Sequence, residues 1–141
     1  MFKTTGGKYV APQVLENKYK ESIFVEQIMV LGENRKFPSA LIVPNFVTLK
    51  TWSEKHGIDF TTKEEIIKNE QVLAKFNEIL DGYNVAFGKW EQVKRFALLP
   101  KDWTIDGGEL TPKLSLKRKI ITEKNIAIIE KIYKDAENYK A

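Results

Sequence analysis

The sequence predicts an α+β fold, in which a small sheet of about three strands is covered by helices and preceded by an N-terminal β-hairpin. β-prone and one-sided helical segments both occur, but they do not alternate strictly as βαβ units do. The 141 residues suffice for one domain that buries about 68% of its unfolded surface. A hydrophobic content of 43% argues against a disordered chain.

The first element is predicted to be a hairpin, because residues 2–5 and 8–10 are β-prone and flank Gly6 and Gly7. The glycines fit a turn that needs positive φ, or a backbone that a ligand approaches closely. A hairpin at a chain terminus is prone to fray. We therefore expect the chain to be a piece of a larger polypeptide.

A helix over residues 12–20 follows, because Pro12 suits a first turn and the apolar side chains recur on one face. Residues 23–31 are rich in Ile, Phe and Val and predict a strand. A turn at 32–35 separates it from a second strand over 39–43, which a proline stops.

The middle of the chain is predicted to be helical. Residues 46–55 form a helix that ends at Gly57. A doubled capping-box signal then starts another helix, with two threonines each followed three residues later by a glutamate: Thr61, Thr62, Glu64 and Glu65. The clearest amphipathic helix covers residues 70–86, with an apolar stripe formed by Val72, Phe76, Ile79 and Tyr83.

The C-terminal part begins with a third strand over residues 93–99. Residues 103–105 either extend it or start another strand, and a turn follows at 106–108. A final helix runs from Ile126 to about Asn138.

Several residue types have structural explanations. The single histidine, His56, follows a helix end, where a cation compensates the dipole. With no cysteine and no second histidine, no metal site is expected. Helix caps and solvated faces explain the acidic residues. The three tryptophans are expected in the core or at its edge: Trp52, Trp90 and Trp103.

Basic residues cluster after Thr111 and Pro112, at positions 113 and 117–119. The cluster is either a solvated basic loop or helix start, or a set of cations presented to a phosphate or carboxylate. If this stretch is extended, Lys113, Ser115 and Lys117 point to one side.

Two segments near opposite ends of the chain carry a resemblance. Residues 2–16 (FKTTGGKYVAPQVLE) resemble the start of the C-terminal domain of AMP-forming long-chain acyl-CoA synthetases. Residues 108–119 (GELTPKLSLKRK) resemble the last motif of that family, which carries its catalytic lysine. Segments 24–31, 40–44 and 93–99 resemble the domain's strands in order. Residues 1–141 are thereby identified as a C-terminal lid domain.

The resemblance implies a two-domain parent enzyme that uses ATP and Mg²⁺ to convert a fatty acid to acyl-AMP, and then transfers the acyl group to CoA. The lid swings about a hinge between the two steps. Gly6, Gly7 and Lys8 would line the pantetheine path. The N-terminal adenylation domain is the expected partner. No cofactor is expected on this chain alone, which we expect to fold without ligase activity.

One position departs from the family pattern. Between the anchors Thr111 and Arg118, Ser115 stands where the family has its lysine. Lys113 and Lys117 flank that position by two residues each. We expect Lys117, and after it Lys113, to supply the cation.

Two alternatives remain at this stage. One is a free-standing binding module for an anionic partner such as RNA, suggested by the net charge of +4. It lacks an RNP-type aromatic strand and a basic stripe, so no nucleic acid is expected. The other is the lid of a synthetase with a different acid substrate. The expected location is cytoplasmic, with peripheral membrane association of the parent left open.

Overall fold

The computed structural model describes residues 1–137. This part of the chain contains five strands and six helices. The chain divides into two compact units, Met1–Pro100 and Lys101–Ala141. The elements of the first unit are, in order, β1 (Phe2–Lys3), β2 (Tyr9–Val10), α1 (Pro12–Tyr19), β3 (Val25–Leu31), β4 (Ser39–Pro44), α2 (Phe46–Lys55), α3 (Lys63–Ile66), α4 (Glu70–Asn84) and β5 (Arg95–Leu98). The second unit contains α5 (Arg118–Lys124) and α6 (Ile126–Glu137).

The predicted N-terminal hairpin is confirmed. Strands β1 and β2 pair antiparallel. The loop is tied to the turn between β3 and β4, because the Thr5 N–H donates to the Arg35 carbonyl at 2.9 Å. The Asn34 N–H likewise donates to the Lys3 carbonyl at 3.0 Å. These bonds hold the hairpin against the body of the first unit.

The three-stranded sheet has the order β3-β4-β5. Strands β3 and β4 are antiparallel, whereas β4 and β5 are parallel, with Ser39 opposite Arg95 and Ile42 opposite Leu98. Parallel neighbours need a long crossover connection, which here contains α2, α3 and α4. Every residue of the central strand β4 is buried, as expected for a strand covered on both faces.

Local signals set the helix ends. Asn45 caps α2 by accepting from the Thr48 N–H at 3.2 Å, and Gly57 beyond its end has φ +67°. Of the two predicted threonine caps, Thr62 is the one used: its hydroxyl accepts from the Glu65 N–H at 3.1 Å. The carboxylate of Glu16 is buried in α1 and accepts from the Val30 N–H at 2.7 Å, which links that helix to β3.

A buried polar network closes one side of the core. The Tyr19 hydroxyl donates to Asn84 Oδ1, and Asn84 Nδ2 donates to the Val93 carbonyl at 2.9 Å. The Val93 N–H in turn lies 3.3 Å from the Tyr19 hydroxyl oxygen. The network therefore joins the end of α1, the end of α4 and the segment entering β5.

Burial of the phenol raises the pKa of Tyr19 to about 12, although the Val93 N–H acts in the opposite direction. In the unfolded chain this pKa is about 10. Between these values the unfolded state loses a proton that the native state keeps, so the free energy of unfolding falls as pH rises. We expect a loss of about 2–3 kcal/mol between pH 10 and 12.

The free energy of unfolding of the Tyr19→Phe variant should lack this pH-dependent loss, because the variant has no phenol at position 19. All other titrating groups are the same in the variant and the wild type. Urea denaturation of both chains at pH 8 and pH 11.5 measures the difference. An identical pH dependence of the two chains would contradict the assignment.

The second unit differs from expectation in one place and agrees with it in another. Residues 103–105 form no strand: 103 and 104 are irregular, and residue 105 begins the turn at 105–108. Thr104 Oγ1 accepts from the Gly107 N–H at 2.8 Å, which favours a turn over strand pairing. The predicted basic loop or helix start is borne out in both forms: Lys113 lies in an exposed turn, whereas Arg118 and Lys119 begin helix α5. The end predicted for the final helix, Asn138, lies outside the described residues.

The tryptophans differ in burial. Trp103 is buried, and Trp52 packs against the core from its edge. Trp90 is 49% exposed, so its predicted place in the core or at its edge is wrong. The short turn that carries it directs the indole to the surface, beside the N-terminal hairpin.

Candidate functional site

The glycine loop of the hairpin, residues 4–8, is compact and exposed at Gly6, Gly7 and Lys8. The Thr4 N–H donates to the Lys8 carbonyl at 3.1 Å, and the Gly7 N–H donates to the Thr4 carbonyl at 3.0 Å. Gly7 has φ +81°, which favours glycine. A Cβ placed there would meet only Lys3 Cε, at 3.9 Å. Conformation rather than crowding therefore requires the glycine, and the backbone stays open to a ligand.

Two ammonium groups accompany this loop. The Lys8 Nζ lies 5.6 Å from the ring centroid of Trp90, and the Lys3 Nζ lies 5.7 Å from that of Tyr9. Sequence reasoning missed Trp90, because it lies 82 positions after Lys8 and no motif connects them. The loop can thus offer positive charge beside an uncovered stretch of backbone.

The second candidate segment, residues 109–117, is a tight hairpin. The Thr111 N–H donates to the Ser115 carbonyl at 2.9 Å, and the Ser115 N–H donates to Thr111 Oγ1 at 3.0 Å. Leu114 has φ +65°, a left-handed conformation. The stretch is therefore not extended between 113 and 115, and the strand alternation that would put Lys113 and Ser115 on one side is absent.

The candidate cations occupy different parts of this hairpin. Lys113 lies in its turn, whereas Lys117 precedes α5 and donates its backbone N–H to the Glu109 carbonyl at 2.8 Å. Both side chains are exposed, as is Ser115. Within residues 1–137, neither ammonium takes part in a hydrogen bond or ion pair. Both remain available to an anion, and Lys117 has the better fixed backbone.

Glu109 braces the base of the hairpin. Its carboxylate accepts from the Thr104 N–H at 3.1 Å and pairs with the Lys124 ammonium at 3.4 Å. Burial acts to raise the pKa of Glu109, but the Thr104 N–H and Lys124 outweigh it and hold that pKa below its usual value. A Cβ on Gly107 would overlap this carboxylate. No local sequence pattern indicates this brace, because it joins residues fifteen positions apart.

His56 lies directly after the end of α2, as predicted. Its ring stacks on Trp52, and its Nδ1 lies 2.8 Å from the Trp52 carbonyl oxygen at the end of α2. Residues 1–137 bring together no group of three or more His, Cys, Asp or Glu side chains suited to a metal ion. In the same part of the chain, no helix combines the length and apolar character needed to cross a bilayer.

A family model described as "AMP-binding enzyme C-terminal domain" matches residues 2–137. The chain belongs to this family. The match covers the glycine loop and the hairpin of residues 109–117 together. It agrees with the resemblance carried by residues 2–16 and 108–119.

Curated relatives of this AMP-binding C-terminal domain have a common description. This chain is 32% identical over 131 residues to the long-chain-fatty-acid–CoA ligase FadD15 of Mycobacterium tuberculosis. The match covers 92% of this chain and 22% of that protein. The chain is 36% identical over 121 residues to human long-chain-fatty-acid–CoA ligase 1, covering 84% of this chain and 17% of that protein. The chain thus spans about a fifth of the length of these relatives.

Solved structures support the same fold. The adenylation domain of a carboxylic acid reductase from Segniliparus rugosus, in complex with AMP and a co-purified carboxylic acid, superposes with a TM-score of 0.77 at 22% identity. The superposition covers 96% of this chain and 20% of that one. A corresponding reductase domain from Mycobacterium chelonae gives a TM-score of 0.77 at 21% identity, covering 94% of this chain and 19% of that one. The predicted α+β class is confirmed.

Proposed function

We propose that the chain is the C-terminal lid of a long-chain fatty acid–CoA ligase, whose complete polypeptide forms acyl-AMP from ATP and a fatty acid and then transfers the acyl group to CoA. One observation carries the proposal: a family match over residues 2–137, with relatives 32–36% identical that are named as such ligases. In this proposal 1–141 is one functional domain. The N-terminal adenylation domain of the same polypeptide holds ATP, Mg²⁺ and the fatty acid.

Lys117 is assigned to the first step, with Lys113 as the second choice. Acyl-AMP formation develops negative charge on the transferred phosphate and the departing pyrophosphate, and a cation placed there stabilises the transition state. The family position is occupied by Ser115, which has no charge. Support for Lys117 comes from its exposed side chain and its anchored backbone.

The glycine loop is assigned to the second step. The pantetheine arm of CoA is thin and passes close to backbone, which suits the open surface at Gly6 and Gly7. Lys8 follows directly and provides positive charge for the phosphates of CoA. Because Lys117 and the glycine loop belong to the same swinging lid, the lysine leaves the active site when the glycine loop enters it. The proposed location is cytoplasmic, and peripheral membrane association of the parent remains an alternative.

The first test is the mass of the native protein, detected in extracts of the source cells with an antibody against residues 1–141. A band several times larger than 16.3 kDa is expected. That complete polypeptide should then release AMP from ATP, a long-chain fatty acid and CoA, whereas the 141-residue chain should not. A band near 16 kDa with no separate adenylation partner would contradict the proposal. A panel of short-chain and aryl acids tests the alternative substrates.

Gly7 and Gly6 provide a matched pair for the second step. Gly7→Ala puts a side chain at φ +81°, a strained conformation, whereas Gly6 has no such φ. We expect Gly7→Ala to slow acyl transfer from preformed acyl-AMP to CoA by about tenfold or more. Pyrophosphate–ATP exchange should be unchanged, and Gly6→Ala should have the smaller effect. Equal losses in both half-reactions would indicate a general folding defect instead.

A further inference from the structure

Trp90 is held on the surface by a short, hydrogen-bonded turn. The Gly88 N–H donates to the Glu91 carboxylate at 3.1 Å, and the Glu91 N–H donates to the Gly88 carbonyl at 2.9 Å. The indole lies directly over Gly88, where a Cβ would come within 2.5 Å of the ring. The ring is therefore packed against backbone on one side, while the side chain as a whole remains 49% exposed.

The Lys8 ammonium lies over this ring, 5.6 Å from its centroid. That separation is within the range of a cation–π contact, in which the negative face of the indole attracts the cation. A lysine side chain is otherwise flexible and spreads its charge over a wide volume. Since the Lys8 carbonyl also accepts from the Thr4 N–H, both the backbone and the ammonium of this residue have a partner.

The Lys8 charge lies next to the glycine loop. Lys8 follows Gly7 directly, and the Lys3 stem also lies near the loop, with its Cε 3.9 Å from a Cβ built on Gly7. The Lys3 ammonium lies over another exposed ring, that of Tyr9. Two lysines, each with its ammonium over an aromatic ring, thus border the open backbone at Gly7.

We propose that Trp90 is a positioning residue, which holds the Lys8 ammonium in place to receive a phosphate group of CoA as the pantetheine arm passes Gly7. This inference rests on the proposed function. In this proposal Trp90 does not contact the reacting thiol of CoA. Its effect is therefore expected in the binding of CoA and not in the rate of acyl transfer.

The test uses the complete polypeptide and three thiol acceptors: CoA, dephospho-CoA and pantetheine. Trp90→Leu should raise KM for CoA about two- to fivefold with kcat unchanged. Lys8→Met should raise it about tenfold or more, because a charge-assisted hydrogen bond is lost. Trp90→Phe keeps an aromatic face and should restore most of the affinity. Pantetheine, which has no phosphate, should be used equally well by the wild type and by both Trp90 variants.

A double-mutant cycle separates positioning from independent effects. In Trp90→Leu/Lys8→Met the KM for CoA should be no higher than in Lys8→Met alone, because the ring acts only through the lysine. Additive effects would overturn the proposal, as would an equal rise of KM for pantetheine. If the Trp90→Leu effect persists with dephospho-CoA, the diphosphate is the group recognised. If it disappears, the 3′-phosphate is.

One measurement needs no variant of Trp90 to fold. In the NMR spectrum of the 141-residue chain, the indole ring should shift the ε-methylene protons of Lys8 upfield of those of lysines that have no aromatic ring beside them. Lys8 ε-methylene protons without this upfield shift would overturn the proposal. A complete wild-type polypeptide that consumes no CoA would refute the proposed function and this inference together. A CoA-dependent enzyme indifferent to Trp90→Leu would refute the inference alone.

Discussion

Replacing Lys117 by methionine is expected to lower acyl-adenylate formation by about 10²–10³-fold in the complete polypeptide, the usual cost of removing one preorganised donor to developing charge. Methionine keeps the length of the side chain and removes its charge. Pyrophosphate–ATP exchange with a long-chain acid reports this step. Acyl transfer from preformed acyl-AMP to CoA should stay within about twofold, since the proposal assigns this cation to the first step only.

Neighbouring lysines provide the controls. Lys119→Met removes the same charge from an exposed position two residues away and should leave the exchange rate nearly unchanged. Lys113→Met should have an intermediate effect. The double variant Ser115→Lys/Lys117→Met returns a cation to the family position and should recover exchange to within about tenfold of the wild type. If only Lys113→Met lowers the exchange rate, Lys113 and not Lys117 supplies the cation for acyl-adenylate formation.

Replacing Asn84 by alanine is expected to destabilise the chain by about 2–4 kcal/mol, because a buried hydrogen-bonding group is removed and its partner is left unsatisfied. Asn84 is 3% exposed. Its loss removes the acceptor of the Tyr19 hydroxyl and leaves the Val93 carbonyl without the bond from Nδ2. Such a loss is a large share of the free energy of unfolding of a domain, which is usually about 5–15 kcal/mol.

Urea denaturation followed by tryptophan fluorescence measures this change as a lower midpoint at constant m-value. Asn77 lies on the same helix and is exposed, so Asn77→Ala is the matched control and should change stability by less than about 0.5 kcal/mol. Tyr19→Phe should cost less than Asn84→Ala, because it leaves the bond from Asn84 Nδ2 to Val93 intact. Equal effects of the two asparagine variants would contradict the role given to the buried network.

The sequence predicted the features that depend on neighbours along the chain. The hairpin turn follows from glycine, and the structure places φ +81° at Gly7. Helix α2 has the predicted bounds, Phe46–Lys55, because an asparagine cap and a terminal glycine mark its ends. The two motif segments also indicate the family, which the family match over residues 2–137 confirms. That Ser115 stands at the position of the family lysine stays a prediction.

Tertiary structure decided the features that depend on distant partners. Periodicity detects a strand but not its neighbour, so the parallel pairing of β4 with β5 was not predictable. The turn at 112–113 is a local feature that strand alternation does not predict: two hydrogen bonds join Thr111 to Ser115, four positions away, and bend the segment.

The partners of Lys8 and Tyr19 lie 82 and 65 positions away, at Trp90 and Asn84. Only the packing of elements brings such residues together, because no local signal encodes a contact across that separation. The sequence therefore determined the family and the candidate lysines of this protein. The folded chain decided the contacts between residues far apart in sequence, such as those of Lys8 with Trp90 and of Tyr19 with Asn84.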